Sequence, residues 1–218
     1  MLLAIENVLG DEDLTRVRGE IAHLAFHDGK STAGAAAKAV KNNTQANGDD
    51  SIAILDFVRK ALDANTAFQA AAQPRTYGPM LISRYGVGQD YGLHVDNAFM
   101  GSVRSDISFT LFLSDTASYD GGALTLELPA GSQSIALPAG SLILYPSTSL
   151  HRVEPVTRGQ RLAIVGWIES RVLHSEAREA LFDLANVRAS LESVSGVDPL
   201  IKLTLQKVQA NLMRLLSQ

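Results

Sequence analysis

The chain contains no cysteine. That excludes disulfides, thiolate metal sites, iron–sulfur clusters and cysteine nucleophiles, so any metal must be held by histidine and carboxylate. A basic excess is also missing. Nineteen Lys and Arg face 23 Asp and Glu, a net charge of −4, which leaves no electrostatic footprint for nucleic acid or an anionic membrane. No apolar run approaches the length of a membrane span. The opening MLLAIENVLGDED has no basic start and is apolar for only a few positions, so it does not read as a signal peptide. A cytoplasmic location is expected. Charged residues make up only 19% of the 218, and apolar residues 46%. Such a chain can bury a sizeable core as one large domain, or as a domain with an appendage.

Three textures follow one another. Leu14, Val17, Ile21 and Leu24 recur at helical spacing after an acidic start, predicting a helix over 11–26. The polar, Ala-rich stretch 28–50 has no period and reads as a long loop. A second helix is expected from Ser51 to Ala72, ended by Pro74. The middle, 76–168, holds 11 of the 17 glycines and five of the seven prolines. Eight strands are expected there, at 80–85, 91–96, 106–114, 123–128, 132–137, 141–146, 151–156 and 161–168. Turn signals such as DGG (120–122) and PAG (138–140) separate several of them. Short strands at this spacing suggest a barrel or jelly-roll sandwich. Beyond 170 the pattern turns helical again. Leu173, Ala177, Leu181, Leu184 and Leu191 mark one helix. Asp198 and Pro199 are a good cap and first-turn pair for a second. Ile201, Leu205, Val208, Leu212 and Leu215 give that helix an apolar seam, which suggests a homodimer.

The chemistry gathers in the middle. In YGLHVDNAF (91–99), His94 and Asp96 stand two residues apart, and on a strand such residues share a face. His151, in STSLHRVEPV, can complete a face of three from another strand. Two imidazoles and a carboxylate form a facial triad, which leaves positions open on Fe(II) for substrate and O2. A buried carboxylate is costly unless it is paired or bound to metal. Arg161 follows ten residues after His151, on a strand where Arg161, Ala163, Val165 and Trp167 share one face. A guanidinium on such a face needs a buried anion, either an acidic side chain or a carboxylate ligand. His23, His27 and His174 have no metal-ligand company and read as ordinary surface histidines.

These stretches resemble the PKHD-type hydroxylases, prolyl-4-hydroxylase-like Fe(II)/2-oxoglutarate dioxygenases. The matching pieces are DGKSTAGAAAKAVKNN (28–43), SRYGVGQDYGLHVDNA (83–98), RSDISFTLFLSD (104–115), YDGGALTLE (119–127), the long block from Leu137 to Ser170, and NLMRLLS (211–217). The resemblance implies a double-stranded β-helix, an α+β fold with a mainly β jelly-roll core. It also implies supporting N-terminal helices and a C-terminal helical hairpin. The dioxygenase domain would span 1–170 and the helical extension 171–218. Carried over, it implies that His94, Asp96 and His151 ligate Fe(II) and that Arg161 binds the distal carboxylate of 2-oxoglutarate. It further implies that Tyr85 lines the co-substrate pocket and that Trp167 packs near it. Some relatives carry a hydroxyl where this chain has Phe112, and Ser108 or Thr110 could take its place.

The implied reaction uses O2 and converts 2-oxoglutarate to succinate and CO2 while hydroxylating a substrate; the resemblance also admits ascorbate. Halogenating relatives replace the carboxylate ligand with a small residue, so Asp96 favours hydroxylation. Lys41, Asn42 and Asn43 are polar groups that could face substrate, and Arg104 could pair with a substrate anion or with Asp106. Two rival readings stay open. One is a cupin-like metal enzyme that does not use 2-oxoglutarate, which Arg161 opposes. The other is a sensor or binding protein that does no turnover. The substrate could be a small molecule or a peptidyl group.

Overall fold

A computed structural model describes residues 1–46 and 48–217. Strand β1 (Leu3–Ile5) leads into helix α1 (Asp11–Ile21). Then come β2 (His27–Asp28), the one-turn helix α2 (Ala35–Lys38), β3 (Lys41–Asn42) and β4 (Thr44–Ala46). Helices α3 (Asp49–Ala64) and α4 (Thr66–Ala72) precede the main run of strands. That run begins with β5 (Pro74–Tyr85), β6 (Asp90–His94), β7 (Phe99–Met100), β8 (Val103–Arg104) and β9 (Ile107–Phe112). It continues through β10 (Tyr119–Gly121), β11 (Leu124–Leu128), β12 (Gly131–Ile135) and β13 (Leu142–Pro146). It ends with β14 (His151–Val153), β15 (Val156–Gly159) and β16 (Arg161–Ser170). Helices α5 (Ser175–Glu192) and α6 (Pro199–Leu216) complete the chain.

Two antiparallel sheets carry the core. The larger has the order β1-β13-β9-β16-β5-β4-β2, and the smaller β12-β11-β14-β6-β3. Their inner faces enclose a cavity of about 380 Å³ lined from both sheets. This is the double-stranded β-helix expected from the sequence. Strand β9 shows why it holds. Its six residues are all buried, because they serve two interiors. Ile107, Phe109 and Leu111 join the cluster that also takes Val17 of α1, Val58 and Leu62 of α3, and Phe68 of α4. Ser108, Thr110 and Phe112 turn toward the cavity side. The N-terminal helices thus cover the outer face of the large sheet, where burying an apolar side chain is worth about 1.5–3 kcal/mol.

All eight expected strands are present, but several boundaries moved. The first helix stops at Ile21 rather than running to 26. The expected 51–72 helix is two helices, because the Asn65 side chain accepts the Phe68 backbone N–H at 2.9 Å and caps a fresh start. The stretch 28–50 is not a plain loop: β2 and β4 extend the large sheet and β3 edges the small one. The C-terminal seam is covered on one side only. Helix α6 packs on α5, leaving Leu205 and Leu212 half-buried. Ile201 is 52% exposed and Leu215 79%.

Candidate active site

The ladder between β6 and β14 sets the two histidines opposite each other, with His94 and His151 as direct partners. Their rings stand 4.2 Å apart. Each Nδ1 donates to a carbonyl two residues back in the chain, His94 to Gly92 at 2.8 Å and His151 to Ser149 at 3.0 Å. A carbonyl only accepts, so each Nδ1 carries a proton, and in the neutral ring it is Nε2 that offers its lone pair to a metal. Burial pushes the His94 imidazolium down to about 4, with the neighbouring His151 adding to the effect. At neutral pH that ring is uncharged and able to serve as a ligand.

Asp96 lies just past the end of β6 rather than within it, so alternation along a strand does not place it. A hydroxyl does. Ser108 Oγ donates to Asp96 Oδ2 at 2.6 Å and is itself 2.7 Å from Ser147 Oγ. Asp96 Oδ2 then stands 3.8 Å from His151 Nε2. One ligand atom from each of His94, Asp96 and His151 falls within 4.8 Å of the others. The three expected ligands therefore converge. Ser108, weighed above as a pocket hydroxyl, is spent on the carboxylate.

The ladder also slips by one residue beside the site. His151 pairs with His94 and Val153 with Tyr91, so Gly92 and Leu93 of β6 stand opposite the single residue Arg152 of β14. The slip brings Tyr91 and His94 onto one face despite their odd spacing, and the rings stack at 3.6 Å. Gly92 sits in the slip because a Cβ there would meet the Val40 Cβ at 2.8 Å. Tyr91 was not singled out from the sequence, since strict alternation points it away from His94.

Arg161 is 1% exposed. Its Cα partner across the sheet is Tyr85, and the guanidinium lies 5.2 Å from the Tyr85 ring centre and 5.3 Å from that of Phe112. Gly122, at φ +63°, gives its stem room, for a Cβ there would lie 3.0 Å from Arg161 Cδ. Yet Nε and Nη2 have no hydrogen-bond partner among the described residues. A buried, unanswered guanidinium is costly, and this one lines the same cavity as the three ligands. Tyr85 and Trp167 line it too. Burial raises the Tyr85 phenol, against a smaller pull from Arg161, so it remains a neutral donor.

A polar wall faces the triad. Lys41 Nζ donates to Thr32 Oγ1 at 2.9 Å and Gln45 Oε1 at 3.1 Å, and Gln45 Nε2 donates to Ser83 Oγ at 2.9 Å. Burial lowers the Lys41 ammonium to about 8, while Asp96 and then Asp28 pull it back up. Of the three polar groups considered near substrate, only Lys41 lines the cavity. Asn42 turns to the Gly88 carbonyl, and Asn43 is buried beneath Gly29. Arg104 pairs with Asp106 through two bonds of 2.8 and 2.9 Å. His23, His27 and His174 are exposed and outside the cavity.

Comparison with known proteins agrees with this geometry. Residues 80–169 match the model of the 2OG-Fe(II) oxygenase superfamily. A PKHD-type hydroxylase of Acaryochloris marina is 48% identical over 216 residues, covering 98% of both chains. Among solved structures, a Trichoplax adhaerens prolyl hydroxylase in complex with a hypoxia inducible factor peptide fragment superposes with TM-score 0.61 at 17% identity. That match covers 83% of this chain and 86% of the other. HygX of Streptomyces hygroscopicus, with nickel and 2-oxoglutarate bound, gives 0.57 at 16%, covering 76% and 81%. At such identities the structures speak to the fold alone. The near-full-length sequence match speaks to the family, and together with the fold and the converging ligands it places this chain among the PKHD-type hydroxylases, Fe(II)- and 2-oxoglutarate-dependent dioxygenases.

Proposed function

We propose that His94, Asp96 and His151 hold the iron and that Arg161 binds the distal carboxylate of 2-oxoglutarate. The reaction is then O2-dependent hydroxylation of a small-molecule or peptidyl substrate. The observation that carries this reading is the orphaned pair of N–H groups on buried Arg161. A carboxylate matches the fork of a guanidinium in charge and shape. When bound, the iron and co-substrate supply oxidative decarboxylation to succinate and CO2, with one oxygen atom of O2 going to the substrate as hydroxyl. The chain's own work is positioning and exclusion of water. Both Nδ1–H···O=C bonds lock the ring orientations. Ser108 fixes the carboxylate. Tyr85 and Phe112 wall the guanidinium from solvent.

Trp167 lies six residues from Arg161 on β16, roughly 20 Å at a strand rise of ~3.3 Å per residue. It pairs with Ser108, the residue that holds Asp96. That supports a place on the substrate side of the metal rather than around the distal carboxylate. Residues 1–170 then make the catalytic domain and 171–218 an extension. The exposed Ile201 and Leu215 of that extension support self-association, and light scattering at micromolar concentration checks it. Ascorbate enters as a reductant of the iron.

The test is succinate release with Fe(II), 2-oxoglutarate and O2, for the wild type beside Arg161→Ala and Asp96→Ala. Release that needs all three reagents and falls at least tenfold in both variants is expected. Unchanged release in either variant removes that residue from its role.

A further inference from the structure

The cavity's charges do not balance once iron and 2-oxoglutarate are assigned to it as proposed above, and this inference rests on that assignment. The two charges of the iron are met by Asp96 and by one carboxylate of 2-oxoglutarate. The single charge of Arg161 is met by the other carboxylate. Lys41 is left over. It is 4% exposed, and among the described residues it has no carboxylate within ion-pair distance. Its ammonium carries three donors, of which Thr32 and Gln45 accept two. Its ring neighbour, 5.2 Å away, is Tyr91, which stacks on the metal ligand His94.

A lysine serving only the fold would satisfy its charge with an acidic side chain, or snorkel its head to water. Asp96 and Asp28 act on this one only from beyond ion-pair distance, and its head is buried. Strand β3 carries it at the edge of the small sheet, paired with β6 at Tyr91, and points it into the cavity beside the triad. A buried cation with an open donor, next to the reacting centre, matches an anionic oxygen group of a ligand.

We propose that Lys41 is a specificity-determining residue and that the compound hydroxylated carries a carboxylate, which Lys41 binds with Thr32 and Gln45 beside it. One leftover positive charge fits a monoanion. A phosphate would need more donors than this wall offers, because no arginine stands in it. The carboxylate would anchor the substrate so that a neighbouring C–H lies over the metal, and Trp167 would wall the same compartment.

Trp167 is the chain's one tryptophan and lines the cavity, so its fluorescence reports occupancy without turnover. Protein loaded with Zn(II) is first titrated with 2-oxoglutarate. Failure to bind there overturns the co-substrate reading, and the Lys41 assignment is then judged on the zinc form alone. The loaded protein is next titrated with acetate, propionate and benzoate, with their amides, and with inorganic phosphate, at fixed ionic strength. The expected result is saturable binding of at least one carboxylate, at least tenfold tighter than its amide and than phosphate. That binding falls at least tenfold in Lys41→Met and is retained in Lys41→Arg, with 2-oxoglutarate affinity within twofold throughout. Four results overturn the proposal: carboxylate and amide binding alike, tighter binding of phosphate, no carboxylate binding to the wild type, or loss of 2-oxoglutarate affinity in Lys41→Met. Circular dichroism melts of both variants confirm that they are folded.

Discussion

Two arginines are buried among the described residues, and the regions around them are built on opposite terms. Arg178, 5% exposed, lies where the barrel hands over to the C-terminal hairpin. Its Nη1 donates to the Val172 and Leu173 carbonyls, both at 2.8 Å. It staples the turn between β16 and α5. Arg161, 1% exposed, sits among aromatic rings in the barrel with Nε and Nη2 unanswered. Burial alone does not separate them. Their hydrogen bonds do: Arg178 finds its acceptors in the chain, whereas Arg161, the arginine proposed to bind the co-substrate, has acceptors still to find.

The comparison can be broken in several ways. The largest effect is expected from Arg161→Leu. Losing two charge-assisted hydrogen bonds should weaken 2-oxoglutarate by about a hundredfold or more. The same variant, measured without co-substrate, should melt no lower than wild type, since an uncompensated buried charge has been removed. Calorimetric titration and thermal melts read the two halves. Arg178→Met should do the reverse. It leaves two carbonyls without their donor and should cost about 2–4 kcal/mol of stability, with 2-oxoglutarate affinity unchanged. Should either variant show the other's profile, the distinction fails.

A smaller effect concerns the barrel's other buried cation. Lys41 titrates near 8 in the folded protein against 10.5 unfolded. Between those values the unfolded chain binds more protons, so this group's contribution makes stability rise with pH from about 8 to 10.5. Lys41→Met should lack that rise, and the wild-type-minus-variant difference in urea midpoint across that window measures it. The smallest effect belongs to the hairpin surface. Leu215→Ser, at a position 79% exposed, should change monomer stability by no more than about 0.5 kcal/mol.

Much of this was readable in the residues. The strands announced themselves through Gly- and Pro-marked turns, and His94, Asp96, His151 and Arg161 line one cavity, although Asp96 reaches it from irregular backbone past β6 and not by strand alternation. What could not be read has physical causes. Strands of two or three residues, such as β2, β3 and β4, are too short to show alternation, so 28–50 looked like a loop. Strand β5 begins six residues earlier than expected because Gly78 and Pro79 resemble breakers. Pro79 in fact falls where the β5–β16 ladder slips, so its missing N–H costs no bond. Tyr91 was hidden for the same reason, since a slip in β6 reverses the parity on which face assignment depends.

That division has a consequence for how such a centre can change over time. The histidines are fixed by a ladder, each as the other's partner, whereas Asp96 hangs on irregular backbone and a relay of two serine hydroxyls. A drift in loop length or a swap at Ser108 therefore acts on one of the three proposed ligands and spares the other two. The centre is modular: its carboxylate corner is open to redesign or evolutionary replacement, and its imidazole pair can only be inherited whole.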